Sequence, residues 1–281
     1  MTTPEPPAAK GYDALYAAFD SPLMEQMRRE AYGEDIGQHS WVTADELRSD
    51  IERLSLTASS RLLDVGCGPC GPLVFAVRST GCAGAGLDVS KSALASGSAR
   101  AYAAGVQEQI TLIDTDLAQP LPFDNQSFDG VISLDVVLHL RDRNALFNEI
   151  ARVLAPAGKF LFTDAAILLG PISNEEINRR SAHGYTQFVP QGFNEEMLQA
   201  AGFRIIGRED RTASVELIAR GRLSAMRARQ AAVEELVGKE AFAQQERYIE
   251  TVIAVCARRA LARVMYFAEL AAAHRPRMTR I

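Results

Sequence analysis

Cysteine and tryptophan are scarce in this chain: four and one among 281 residues. Four cysteines in a chain of this length do not make a disulfide framework, which excludes the small secreted scaffolds that depend on one. No run of about 18 apolar residues occurs, so no transmembrane helix is expected. The N-terminus, Met1-Thr-Thr-Pro-Glu-Pro-Pro7, lacks the apolar stretch of a secretory signal. Positive charge is not in excess: the net charge is -5, which makes a poor nucleic-acid binder unless the basic residues cluster. Arginines do gather near the end, at Arg258, Arg259, Arg263, Arg275, Arg277 and Arg280, and read as a solvated helix face with a basic tail. Internal repeats are absent as well. These absences together imply a cytoplasmic protein with neither a nucleic-acid nor a membrane partner.

What is present is an ordinary globular composition, 47% hydrophobic and 23% charged, with enough length for one large core. Residues 1 to 10 read as a disordered tail, and 11 to 58 as an N-terminal helical lid. Tyr12, Leu15, Tyr16 and Phe19 share one face of a helix expected over residues 12 to 31. Thr43-Ala-Asp-Glu46 is a capping box that starts another helix, running to about Leu54. From Arg61 strands and helices alternate: strands end at Leu62-Leu63-Asp64 and Ala85-Gly86-Leu87-Asp88, then Ile110 to Ile113, Phe128 to Leu134 and Lys159 to Thr163. That rhythm implies an α/β fold with a parallel sheet covered on both faces, here assigned to residues 59 to 281. Helical insertions are expected at about 165–202 and 211–261, over the sheet's ligand edge, with Phe203 to Ile206 and Val264 to Phe267 as further strands. The long late helices leave room for a homodimer.

The stretch Asp64-Val-Gly-Cys-Gly-Pro-Cys-Gly71 joins the first strand to a helix and fits three chemistries. Cys67-Gly-Pro-Cys70 matches a thioredoxin-type redox site, but such sites usually carry Trp before the first Cys, and that position is Gly66. Gly66, Gly68 and Gly71 match the dinucleotide fingerprint G-x-G-x-x-G. Pro69 and Pro72, however, each remove a backbone donor for a pyrophosphate, and Asp64 repels it by several kcal/mol at about 4 Å in partly screened surroundings. A cationic ligand reverses each objection. S-adenosylmethionine carries a sulfonium and an ammonium that Asp64 attracts, and side-chain-free Gly66 and Gly68 let the backbone approach it. Asp88, ending the second strand, can accept ribose hydroxyls; Asp116 after the third can accept the adenine amino group beside Leu117. A plain tight turn remains the bland alternative for any one of these residues.

Leu62-Leu63-Asp64-Val65-Gly66-Cys67-Gly68, Gly86-Leu87-Asp88-Val89, Leu121-Pro122-Phe123-Asp124-Asn125-Gln126-Ser127-Phe128-Asp129 and Val153-Leu154-Ala155-Pro156-Ala157-Gly158 resemble the successive motifs of class I S-adenosylmethionine-dependent methyltransferases. The resemblance covers about residues 35 to 206. It implies a Rossmann-like sheet of seven strands, mostly parallel with the last antiparallel. It places S-adenosylmethionine on Asp64, Gly66, Gly68, Asp88, Asp116 and Leu117, and implies methyl transfer to an amine or hydroxyl of a small-molecule acceptor.

His139 follows the fourth strand at the edge where ligands bind, and its ordinary pKa of about 6.5 suits a general base. A hydrogen-bonded structural histidine between Leu138 and Leu140 is the alternative. Asp135, four residues earlier, shares a face with His139 if the turn is helical, and Asp164 ends the fifth strand. Asp135-Val-Val-Leu-His139-Leu resembles the matching segment of phosphoethanolamine, sarcosine/dimethylglycine and antibiotic sugar O-methyltransferases, and the sugar enzymes pair a catalytic His with an Asp at the positions of His139 and Asp164. Gln38-His39-Ser40 sits where such enzymes close an N-terminal segment over the cofactor, and Tyr12 or Tyr16 could supply an aromatic lid. His183 and Tyr185 fall in their substrate segment, but the family's phosphate-holding Arg near His183 and Tyr near Ala165 are missing, which argues against a phosphorylated acceptor. Asp135 and Asp164 lack a third acid, so no metal is expected. A non-catalytic S-adenosylmethionine-binding or interaction protein, and a CxxC oxidoreductase, are the competing functions.

Overall fold

Parallel strands must have their connecting helices laid across the faces of the sheet, and the alternation that begins at Arg61 does this. The computed structural model of the chain describes Tyr16 and residues 18–271; the expected tail and Tyr12 lie outside the described residues. The strands are β1 (Arg61–Val65), β2 (Ala83–Asp88), β3 (Ile110–Asp114), β4 (Phe128–Leu134), β5 (Leu154–Leu168), β6 (Val189–Pro190), β7 (Phe203–Asp210) and β8 (Leu261–Leu270). Their order is β3-β2-β1-β4-β5-β8-β7. All pairs up to β5 are parallel, and β8 runs antiparallel to both β5 and β7. This is the expected sheet with one addition. The two-residue β6 pairs with the far end of β5, making eight strands rather than seven.

The helices are α1 (Pro22–Tyr32), α2 (Ala44–Leu54), α3 (Gly71–Thr80), α4 (Lys91–Ala103), α5 (Arg143–Val153), α6 (Asn174–Arg180), α7 (Phe193–Ala200), α8 (Thr212–Ala228), α9 (Gln230–Val237) and α10 (Lys239–Ala257). The helix expected over residues 12 to 31 is broken by a turn at 18–20. Ser21 then caps α1 by accepting from Met24 N, and Pro22, which has no N–H to satisfy, opens it. The capping box of α2 forms as read, with Thr43 and Glu46 bonded reciprocally.

Three apolar clusters follow. Phe147 and Ile150 of α5 and Leu198 of α7 fill one face of the sheet with Phe160, Phe162 and Tyr266. Leu47 of α2, Leu73 of α3 and Leu94 of α4 cover the other. A third cluster stands above the carboxyl ends of the strands, where Met27 of α1 meets Ile218 of α8 and Val252 of α10. Gly221 lets α8 approach α1 closely, since a Cβ there would lie 2.8 Å from Ala31 Cα. Among the described residues no helix is long and apolar enough to cross a membrane. The reading of Arg263 as part of a solvated basic face is overturned: it lies on β8, 1% exposed, because the carboxylates of Asp135 and Glu46 meet its charge. Arg258 and Arg259 do sit at the surface, paired with Glu176 and Asp210.

Candidate active site

The carboxyl ends of β1, β2 and β4 open into a cavity of about 530 Å³, closed by the N-terminal segment and by residues of α6, α8 and α10. Its floor is the glycine turn. Gly66 (φ +77°) and Gly68 (φ +52°) adopt left-handed conformations that favour glycine. Packing adds a second reason: a Cβ on Gly66 would stand 2.5 Å from the Val136 methyls, and one on Gly68 3.0 Å from Tyr16 Oη. Gly66 N and Cys67 N both donate to Leu87 O, and Gly68 N donates to Asp88 Oδ2 at 2.8 Å, so the turn is fastened to β2.

The strand-end acids line this half of the cavity. Asp64 is 2% exposed and accepts no hydrogen bond from a described residue. Burial and the neighbouring Asp88 push its carboxyl up to about 8. Asp88 also accepts from Ser90 N, and Asp116 Oδ1 accepts from Ala118 N with Leu117 beside it. Ser40 Oγ, also in the lining, is buried without a partner among the described residues. A carboxyl and a hydroxyl left unpaired on the wall fit a ligand with ammonium and hydroxyl groups, as S-adenosylmethionine has. Cys67 and Cys70 stand 3.4 Å apart at Sγ, both buried. Burial, Cys70 and the carboxyls of Asp64 and Asp88 push the Cys67 thiol well up, the reverse of an activated redox thiol.

The other half of the cavity gathers His39, His139 and His183. His139 closes a 3₁₀ turn, Val137–His139, and its Nδ1 lies 2.9 Å from Tyr185 O. Burial holds its pKa below the ordinary 6.5. Burial first, then the positive fields of His183, Arg28 and His139, lower His39 to about 3. Burial, His139 and Arg180 lower His183 to about 4. Tyr16 meets the His39 ring edge-on, with centroids 5.4 Å apart, and Tyr185 lies under Arg141 near the mouth. Among the described residues no cluster of three His, Cys, Asp or Glu side chains is set to hold a metal ion.

Asp135 lines the cavity at φ +60°, and its oxygens are taken by Arg263 Nε, Thr163 Oγ1 and Trp41 N. The turn after β4 is not the helix that would have put it on one face with His139. Asp164 is fully buried outside the cavity lining and accepts from Arg143 Nη1, Asn194 Nδ2 and Ala166 N. Gln38 is buried too, and folds its own loop by accepting from Ile36 N and donating to Glu34 O. The expectation that no arginine stands near His183 does not hold, because Arg180 of α6 lines the wall there. Trp41, Arg222, Gln245 and Tyr248 also line the cavity and were not read from the sequence. They lie in segments far apart along the chain, and no local pattern marks them.

Comparison with known proteins agrees with this geometry. A family described as "Methyltransferase domain" matches residues 63–162. The O-methyltransferase resE of Aspergillus sclerotiorum is 30% identical over 209 residues, 71% of this chain and 78% of that one. The 27-O-demethylrifamycin SV methyltransferase of Amycolatopsis mediterranei is 29% identical over 223 residues, 75% and 78% of the two chains. A bacterial relative, Methyltransferase GfsG of Streptomyces halstedii, is matched over 41% of its own length. Among solved structures, phosphoethanolamine N-methyltransferase 2 of Haemonchus contortus with S-adenosylmethionine superposes with a TM-score of 0.75 at 21% identity, covering 93% of this chain and 60% of that one. With relatives that span most of both chains, the protein belongs to the class I S-adenosylmethionine-dependent methyltransferases, and S-adenosylmethionine is its cofactor.

Proposed function

We propose that the protein methylates a hydroxyl group of a small-molecule metabolite, with His139 as general base. The observation that carries this reading is the 2.9 Å contact of His139 Nδ1 with Tyr185 O. A carbonyl oxygen only accepts, so Nδ1 bears the proton and Nε2 the lone pair. The lowered pKa keeps the ring neutral near pH 7, ready to take the hydroxyl proton. An amine that arrives already neutral needs no such base.

When bound, S-adenosylmethionine supplies a sulfonium methyl group. In this reading Asp64, Asp88, Asp116, Leu117 and Ser40 hold it, with Gly66 and Gly68 shaping the floor. Gln38 and His39 belong to the segment that closes over it. Asp135 and Asp164 act as positioning residues rather than bases. Asp135 holds Trp41 N against the sheet edge. Asp164 holds Arg143, which grips Gln187, two residues beyond the carbonyl that orients His139. Tyr16, His183 and Tyr185 wall the acceptor, and the late helices exclude water from it. The four buried thiols suit a reducing compartment, and we place the protein in the cytoplasm. A homodimer through α8 to α10 belongs to the same reading.

The test is methyl transfer from labelled S-adenosylmethionine to a panel of hydroxylated and aminated small molecules. Transfer to hydroxyls that His139→Ala abolishes supports the reading. Transfer only to amines, indifferent to that substitution, overturns it.

A further inference from the structure

Cofactor binding does not explain why the floor carries two thiols, in Cys67-Gly-Pro-Cys70. Cys70 N donates to Cys67 O at 3.0 Å and closes a β-turn. Such a turn keeps its first and fourth Cα atoms within about 7 Å, the span that a disulfide bridges. The sulfurs already face each other at 3.4 Å. Two glycines make room for them. A Cβ on Gly86 of β2 would stand 2.8 Å from Cys67 Sγ, and one on Gly97 of α4 2.4 Å from Cys70 Sγ. Gly97 lies inside α4, where alanine favours the helix more, so space for Cys70 is what it supplies. Cys82 precedes β2 at the opposite edge of the sheet, and Cys256 lies on α10.

Access to the pair runs through the place of the cofactor. Cys67 lines the cavity beside Asp64, Gly66 and Gly68 and is 5% exposed, while Cys70 is fully buried and outside the lining. Gly68, whose N–H Asp88 holds, sits between the two cysteines, and its O lies 3.7 Å from Cys67 Sγ and 3.4 Å from Cys70 Sγ. A disulfide removes both S–H groups from that carbonyl and draws Cys67 across the turn that shapes the floor. Burial, Cys70 and the carboxyls of Asp64 and Asp88 hold Cys67 as a thiol. Thiols of high pKa are seldom ionised and leave slowly, which excludes rapid turnover but keeps a formed bond in place.

We infer that Cys67 and Cys70 are a redox modification site: with the cavity empty they close into a disulfide that weakens S-adenosylmethionine binding, and bound cofactor protects them. The oxidant is a low-molecular-weight disulfide, R–S–S–R. The Cys67 thiolate attacks one of its sulfurs, that S–S bond breaks and RS⁻ leaves. The Cys70 thiolate then attacks Cys67 Sγ, the mixed S–S bond breaks and a second RS⁻ leaves. The two cysteines give up two electrons and two protons, and the oxidant ends as two RSH. In a reducing compartment the pair stays as thiols, and an oxidising shift silences the chains that carry no cofactor. Linkage makes the effect reciprocal: the factor by which the disulfide weakens nucleoside binding is the factor by which nucleoside makes the pair harder to oxidise. The device depends on the cofactor site alone, whichever acceptor is methylated.

The test is a redox titration of the full chain with cystamine and its thiol cysteamine, small cations that the acids of the floor admit, with and without S-adenosylhomocysteine. After alkylation of the remaining thiols, trypsin releases Leu62–Arg78, which holds Cys67 and Cys70 and no other cysteine. Its mass should show the internal disulfide forming, and S-adenosylhomocysteine should raise the ratio of oxidant to reductant that this needs at least about tenfold. Calorimetry should find S-adenosylhomocysteine bound at least about tenfold more weakly by the oxidised chain, with cysteamine restoring the affinity. Cys70→Ala and Cys70→Ser leave Cys67 only a mixed disulfide, which lacks the effective concentration of an internal partner. Both should therefore keep their affinity at the ratio that oxidises wild type. No internal disulfide at any ratio, a disulfide that leaves affinity intact, a loss that cysteamine does not reverse, or an equal loss in the Cys70 variants overturns the site. Failure of the reduced chain to bind S-adenosylhomocysteine, measured first, strikes the cofactor assignment and the role of the thiols with it.

Discussion

Arg263 of β8 and Asp135 at the end of β4 are 128 residues apart in sequence and 2.9 Å apart in space. The guanidinium also donates to Thr163 Oγ1 and reaches Glu46, while Asp135 accepts from Trp41 N. One buried cation thus ties the antiparallel strand, the sheet edge and the N-terminal segment together. Arg263→Met leaves the Asp135 carboxylate without its counter-ion and should cost about 3 to 5 kcal/mol of stability. Arg263→Met with Asp135→Asn should cost less than the single change. Urea unfolding measures both, and a single variant as stable as wild type removes the tie.

His139→Ala should lower kcat by roughly 10² to 10⁴ on a hydroxyl acceptor. Affinity for S-adenosylhomocysteine should not change, because the ring stands on the acceptor side of the cavity. Steady-state kinetics beside a binding isotherm separate the two effects. A kcat that survives the substitution removes the general base from the mechanism.

The carboxyl of Asp64 is held up at about 8 by burial and Asp88, with no cation among the described residues to lower it. A ligand ammonium favours the ionised form, so binding should release a proton at neutral pH. Calorimetry of S-adenosylhomocysteine in buffers of different ionisation enthalpy should show this release in wild type and lose it in Asp64→Asn. Identical enthalpies in all buffers for wild type contradict it. Asp88→Ala removes the acceptor for Gly68 N and Ser90 N, charge-assisted bonds of about 1.5 to 3 kcal/mol each, and should weaken binding at least about tenfold.

His39 and His183 are lowered to about 3 and about 4 in the folded protein, against an unfolded value of about 6.5. The unfolded chain therefore takes up protons first. Their stabilising contribution is complete above pH about 6.5 and is lost as pH falls toward those folded values. Asp64 acts in the opposite sense: its raised value favours the folded state below pH about 3.8 and loses that effect as pH climbs toward about 8. In an Asp64→Asn background the melting temperature should fall steadily from pH 6.5 to 4, and His39→Phe with His183→Gln should flatten the slope. A slope untouched by both histidine changes would falsify the linkage.

The cofactor half was legible because its information is local. The strand ends at Asp64 and Asp88, the acid at Asp116 and the glycines at 66 and 68 follow from the alternation of hydrophobic runs with turn residues. The capping box at Thr43 and Glu46 formed as read for the same reason: its partners lie three residues apart. The pairing of β6 was not legible, because it depends on what the segment packs against. The onset of α1 does carry a local signal, Ser21 followed by Pro22, which the expectation of one helix over residues 12 to 31 passed over. Asp164 illustrates the limit. Its place after the fifth strand suggested chemistry, yet it is sealed against Arg143 and Asn194 below the cavity. Position along a strand does not say on which side of the sheet a carboxylate finds its counter-ion.

The sequence by itself determined the seven long strands and the glycine turn at Asp64 to Gly71, since backbone conformation at successive strand ends is set by residues close together in the chain. Only the tertiary structure decided the acceptor side. Arg180, Arg222, Tyr248 and Trp41 come from separate helices and loops, and long-range burial brings them to His139 and strips the three histidines of their charge. Desolvation depends on everything packed around a group, and that information is not carried by any short stretch of sequence.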